Sequence, residues 1–147
     1  MPEFDSLSKA LAYIRESLES ALHNEVFEKV KEVELSHIKT DVYGAYAPVA
    51  YDRRGNEGGF SDPDHIKDTG SGLVLEVVNT TPPNPEGDPE PTVNKNLAQV
   101  IETGDGYDYR SPGARPYHEN TVNELRSSGV IVEALKAGLK KKGIQVK

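Results

Sequence analysis

The stretch Asp62-Pro63-Asp64-His65 places two carboxylates and an imidazole within one turn of chain. These groups are legitimate ligands for a divalent metal. Pro63 separates the two acids, however, and no fourth ligand stands out nearby. The plainer reading is a short acidic turn. Asp105-Gly106-Tyr107-Asp108 lacks the ligand spacing and closing glutamate of a calcium-binding loop. His118-Glu119 could exchange protons with a substrate only if folding brought a cleft to them, and adjacent helical residues point in different directions. There is no nucleophile elbow, phosphate-cradling glycine loop or dinucleotide fingerprint. The expectation is no catalytic residue, no metal site and no cofactor. The enzyme alternative is a small metal-dependent nuclease using Asp62, Asp64, His65 or His118.

The cationic motifs point toward contacts rather than catalysis. Arg53-Arg54 follows Tyr51 at the edge of a glycine-rich turn, and arginine and tyrosine are favoured at protein interfaces. Arg115 stands where a helix begins, a position the helix dipole makes unfavourable for a cation, so it is expected to turn back toward a carboxylate such as Glu102 or Asp105. Lys140, Lys141 and Lys142 complement the dipole at a helix C-terminus; contact with DNA is the less favoured reading. The formal net charge of −7 argues against general nucleic-acid binding. An acidic lumen would instead let DNA slide past without sticking.

These residues need elements to position them. Leu7, Leu11, Ile14, Leu18, Leu22, Val26, Val30 and Val33 recur at helical spacing, a stripe sustained for about seven turns. Asp5 or Ser6 can cap the start, and the helix is expected from about Ser6 to Ile38. At ~1.5 Å per residue it reaches about 50 Å, longer than the body of a globule whose radius of gyration is ~15 Å. Either the helix bends near His37 or breaks earlier and buries all its apolar residues internally, or part of the stripe packs on a neighbouring subunit. Val42, Tyr43, Tyr46 and Val49 suggest an irregular strand, and Leu73 to Val78 reads as the best strand in the chain. Between Thr80 and Pro91 lie five prolines, which favour an extended arm. Asn96 to Glu102 reads as a short helix stopped by Gly104. Pro116 opens another helix, Ser127-Ser128-Gly129 breaks it, and a last helix runs to Gly143. Ile144 and Val146 suggest a short edge strand.

The chain has 147 residues, enough for one domain. Its 35% hydrophobic content is low, and 13 glycines and 10 prolines gather toward the middle. The expected fold is α+β: a long N-terminal helix (1–40) packed on a small antiparallel sheet with long Pro/Gly-rich arms (41–95), then a helical C-terminal part (96–147). The absence of cysteine fits a protein made in a reducing cytosol. Neither a signal peptide nor a membrane span is expected.

Several stretches in order resemble the head–tail joining, or neck, proteins of long-tailed bacteriophages and prophages. They are Tyr46-Ala47-Pro48-Val49-Ala50-Tyr51-Asp52-Arg53-Arg54, Asp62-Pro63-Asp64-His65-Ile66, Val78-Asn79-Thr80-Thr81-Pro82-Pro83-Asn84-Pro85, Leu97 to Tyr107, Ala114-Arg115-Pro116-Tyr117 and Val132 to Lys140. The resemblance covers about two thirds of the chain, from Tyr46 onward, and lies in the order of the motifs rather than in any one of them. It implies a virion protein assembled in the bacterial host cytoplasm, with closed rings of sixfold or twelvefold symmetry between the connector and the tail tube. DNA would pass through without specific binding. A tail-terminator ring is the near alternative, and a soluble helical adaptor a more distant one. On this reading the central arms, Tyr46–Asp68 and Thr80–Val93, supply contacts between subunits. The candidates are Tyr51, Arg53, Arg54, Phe60, Asp62, Pro82, Pro83, Arg115 and Tyr117.

Overall fold

The computed structural model describes residues 1–45, 55–82, 96–105 and 113–147. It is an α+β fold organised along one long helical rod. The rod comprises α1 (Leu7–Ala21), a π turn (Leu22–Val26), α2 (Phe27–His37) and a second π turn (Ile38–Tyr43). The Ser6 hydroxyl caps the start, accepting from the Lys9 N–H at 3.3 Å. The helical path therefore runs past the expected end at Ile38. Val42 and Tyr43 belong to it rather than to a strand, because the second π turn carries the backbone on to Gly44. Tyr46 and Val49 lie outside the described residues.

The first π turn explains a peculiarity of the apolar pattern. From Ile14 to Val30 the stripe advances by four residues four times in succession. On an ideal α-helix each step of four overshoots a full turn by ~40°, so the stripe would wander round the rod. A wider turn absorbs that drift. The buried positions Ser17, Ala21, Val26, Val30, Val33, Glu34, Ile38 and Val42 accordingly show a single step of five, across the π turn, between Ala21 and Val26.

The C-terminal helices α4 (Tyr117–Ser128) and α5 (Val130–Lys141) lie end to end against this rod, joined at Gly129 with φ +70°. They run antiparallel to it. Glu124 and Asn120 of α4 bond His37 and Asp41. On α5, Lys141 pairs with Glu25 at 2.9 Å, and the Lys142 carbonyl accepts from the Tyr13 hydroxyl at 2.7 Å. Contact between α1 and α5 is close because small residues meet there. A Cβ built on Gly138 would lie 2.6 Å from Ala21 Cβ and 2.7 Å from Glu25 Oε2. Gly143 ends α5 in a left-handed conformation, with Gly143 N–H donating to the Lys140 carbonyl and Ile144 N–H to that of Leu139. Ile144 and Val146 follow as irregular chain, not an edge strand.

The sheet is a two-stranded antiparallel hairpin. β1 (Ile66–Asp68) pairs with β2 (Val77–Asn79) in the register Ile66↔Asn79 and Asp68↔Val77. Part of the segment expected to be an arm is thus the first strand. The expected strand at Leu73–Val78 shrinks to its last two residues plus Asn79. Its first half lies in the connection, where Val74 N–H closes a turn on the Ser71 carbonyl. β propensity needs an opposing strand to be expressed, and β1 supplies only three residues. The short helix α3 (Leu97–Thr103) begins as expected at Asn96, whose side-chain oxygen accepts from the Ala98 and Gln99 N–H groups, and stops at Gly104. The hydrophobic core forms where the C-terminal half of the rod, hairpin, α3 and α4 converge. It contains Ile38, Val42, Phe60, Ile66, Ile101 and Tyr117, with the Phe60 and Tyr117 rings edge to face at 5.0 Å.

Two histidines tie these parts to the rod. His23, in the first π turn, bonds the Asp68 carboxylate through Nδ1 and the Gly72 carbonyl through Nε2 at 2.8 Å, fastening the hairpin. His37 bonds Asp41 at 2.7 Å and Glu124 of α4. The Asp68 hydrogen bond raises the His23 pKa. Burial pushes His37 down, but its bonds to Asp41 and Glu124 outweigh burial, and its pKa too is raised.

Two predictions follow from this architecture. Gly138→Ala ordinarily gains helix propensity of ~1 kcal/mol, but here the crowding against Ala21 is expected to reverse the sign, with a net loss of ~1–3 kcal/mol. Urea unfolding of the two proteins reads the difference, and equal or greater stability for the variant contradicts the close contact. The histidine bonds contribute stability that is complete below about pH 6.5 and is lost as pH rises through the raised folded-state values. The thermal midpoint should therefore fall between about pH 6 and pH 9. The double variant His23→Gln/His37→Gln should show a smaller fall over that interval; an identical fall would remove these histidines from the account.

Candidate assembly surface

The proposed contact residues divide into three groups. Tyr51, Arg53, Arg54 and Pro83 lie outside the described residues, as do the start of the first central arm (46–54) and most of the second (83–93). Phe60, Arg115 and Tyr117 are buried inside the protomer, at 5%, 8% and 3% exposure. Phe60 and Tyr117 pack as core, and the Arg115 N–H donates to the Ile101 carbonyl at 3.0 Å, tying the start of α4 to α3. Asp62 is half-buried and Pro82 exposed.

The polar motifs serve the fold locally. The Asp62 carboxylate accepts from the Gly58 N–H at 2.7 Å and the Asp64 N–H at 2.9 Å, and these bonds hold it below the usual carboxylate range. His65 Nδ1 lies 3.1 Å from the Gly59 carbonyl and 3.0 Å from the Thr81 hydroxyl. Among the described residues, no three His, Asp or Glu side chains gather as a metal-binding group. Glu102, one of the carboxylates expected to receive Arg115, spans a helix start: its two oxygens accept from the His118 and Glu119 N–H groups at 2.8 and 3.0 Å. That places negative charge at the N-terminus of α4, where the dipole favours it. Among the described residues, no helix is long and apolar enough to cross a membrane.

The apolar stripe of the rod is only partly covered. Toward the C-terminus Val26, Val30 and Val33 are buried. In the middle, Ile14, Leu18 and Leu22 are half-buried. At the start Leu7 is 76% exposed and Leu11 57%. The reason is length: α5 ends opposite Tyr13, where the Lys142 carbonyl meets the Tyr13 hydroxyl, so the turns before Tyr13 project beyond it. Phe4 folds back, its ring 5.3 Å from that of Tyr13, and leaves Leu7 and Leu11 uncovered. Leu73 and Val74, read from sequence as part of a strand, are exposed in the hairpin connection at 54% and 63%. Their side chains belong to the same loop that His23 fastens to the rod through Gly72.

A second feature escaped the sequence reading. Glu34 is 95% buried on α2, since only 5% of it is exposed, and it lines a cavity of about 300 Å³. Val77 and Val78 of β2, Ala98 of α3, and Tyr117 and His118 of α4 line the same space. Burial raises the Glu34 pKa to about 7. The Tyr117 hydroxyl is pushed well above its ordinary value, first by burial and then by the nearby Glu34 and Glu102 carboxylates. Glu34 falls on the four-residue steps of the stripe, between Val30 and Ile38, whereas Glu25 and Glu28 fall off it, and that register is the signal that could have singled it out.

The sequence matches the YomN family over residues 3–141. It is 36% identical over 115 residues to YomN of Bacillus subtilis (strain 168), described as an SPbeta prophage-derived uncharacterized protein; the alignment covers 74% of this chain and 72% of that relative. No solved structure matches the chain. With a match across nearly its whole length and a prophage-derived relative of this identity, the chain belongs to the YomN family.

Proposed function

We propose that this protein is a structural subunit of the phage particle, a ring-forming component of the neck that joins head to tail and performs no catalysis. The observation that carries the reading is the uncovered start of the long helix. Single exposed leucines are ordinary on a protein surface. Leu7 and Leu11 instead occupy successive turns of one stripe that continues through Ile14 and Leu18 into the buried core. A second copy set against that stripe would remove it from water at ~25 cal/mol per Å² of apolar surface. If the contacting patch lies elsewhere on the neighbour, the contact is head-to-tail, and repetition closes a ring when the rotation fits.

Membership in a family with a prophage-derived member supports the phage setting. The motif order from Tyr46 onward supports the neck within it. Such a subunit would assemble in the bacterial host cytoplasm, become part of the virion between connector and tail tube, and meet no membrane. The net charge of −7 suits a channel through which DNA moves without binding. Asp62 and Pro82, which retain exposed surface, and Tyr51, Arg53, Arg54 and Pro83 remain its proposed subunit contacts.

Native mass spectrometry of the purified full-length chain is expected to give a discrete multiple of the 16.1 kDa protomer. Leu7→Lys combined with Leu11→Lys should abolish that species. The helical circular-dichroism signal should survive, because substitutions at exposed positions usually change stability by no more than ~0.5 kcal/mol. A wild-type chain that stays monomeric at every concentration, or a double variant that assembles as well as wild type, would overturn the ring.

A further inference from the structure

The cavity beside Glu34 has no part in ring closure as described above, yet its composition is specific. Glu34 sits on α2, and no hydrogen bond or ion pair engages its side chain among the described residues. A largely buried carboxyl with no donor is costly, because it has given up most of its water and gained no hydrogen bond in exchange. Such groups concentrate at binding sites. The charged and titratable groups on the other walls can be named. α3 contributes Glu102, whose oxygens are already held by the His118 and Glu119 N–H groups. α4 contributes Tyr117 and the exposed His118, and β2 contributes Val77, Val78 and Asn79, none of them titratable. Among the described residues, no lysine or arginine lines the space.

We propose that this cavity is a binding site for an alkylammonium group, with Glu34 as its counter-ion. The chemistry fits on three counts. Glu102 and, once it has released its proton, Glu34 make the space negative, which favours a cation over an anion or a neutral acceptor. The Glu34 carboxylate and the Tyr117 hydroxyl oxygen are acceptors suited to an ammonium. Val77, Val78 and Ala98 offer apolar wall for a methylene stem, the way lysine stems lie along apolar surface. At about 300 Å³ the space is at the small end of ligand pockets and suits one such chain rather than a larger molecule. The ammonium could belong to a free amine or to a lysine side chain of another copy.

Calorimetric titration of the full-length protein with n-butylammonium chloride, in two buffers of different ionisation enthalpy, tests this directly. Glu34 holds its proton near neutrality when the site is empty and must release it to pair with the cation. Binding at pH 6 should therefore expel close to one proton, binding at pH 8 about a tenth of one, and affinity should rise about tenfold between them. Glu34→Gln should abolish the heat and the proton release. Tyr117→Phe, which keeps the core ring, should bind several-fold more weakly. An absence of saturable heat in the wild type, or heat unchanged in both variants, overturns the site. The source is read by repeating the titration at high protein concentration. Competition by the protein itself marks a lysine of another copy, and an unchanged affinity marks a free amine.

Discussion

A helix must be covered along its apolar face, and here the chain provides more helix than cover. From Leu7 to Tyr43 the rod is 37 residues, about 55 Å at ~1.5 Å per residue. The helices laid against it, α4 and α5, run from Tyr117 to Lys141 and come to only ~37 Å on the same scale. The hairpin and α3 help cover the C-terminal half, where the core lies. Nothing comparable reaches the first turns, so Leu7 and Leu11 face solvent. The rest of the architecture arranges itself around that mismatch, with a well-packed end and a projecting one.

The two π turns stand where the rod receives its tertiary ties. His23 lies in the first and His37 immediately precedes the second. Each imidazole bonds a carboxylate from another part of the structure, Asp68 of the hairpin or Glu124 of α4. The first wide turn also re-aims the stripe, so that Ala21 can meet Gly138 while Val26, five residues on, still points inward. π turns of this kind are rare and recur at functional positions. In this protein their evident service is to let one uninterrupted helix pack against two successive partners.

Much of this was legible in the sequence where local chemistry decides the outcome. Ser6, Asn96, Gly104, Gly129 and Gly143 punctuate helices for reasons internal to a turn of chain, and each does so in the structure. The four consecutive steps of four residues were visible too, and read strictly against ~100° per residue they signal a wide turn. Where tertiary context decides, the sequence was silent or misleading. Leu73 and Val74 have the composition of a buried strand, but β1 is too short to pair with them. Phe60 and Tyr117 looked like exposed interface aromatics and instead stack in the core, a distinction set by which elements converge on them. Glu34 stands on the stripe's own register, but the cavity beside it comes from four elements closing round it and is not written in the chain.

The account rests on the projecting stripe being covered by another copy, and cysteine chemistry can report that cover. The chain contains no cysteine, so Leu11→Cys introduces a single thiol in the exposed stretch. Its rate of alkylation, followed across protein concentration, should be fast in dilute solution and fall to a low plateau as the ring forms. Ser127→Cys, on an exposed position of α4 far along the rod, should react at one rate throughout. A Leu11→Cys thiol that reacts equally fast at every concentration would mean that the stripe stays bare, contradicting the claim that neighbouring copies complete this fold.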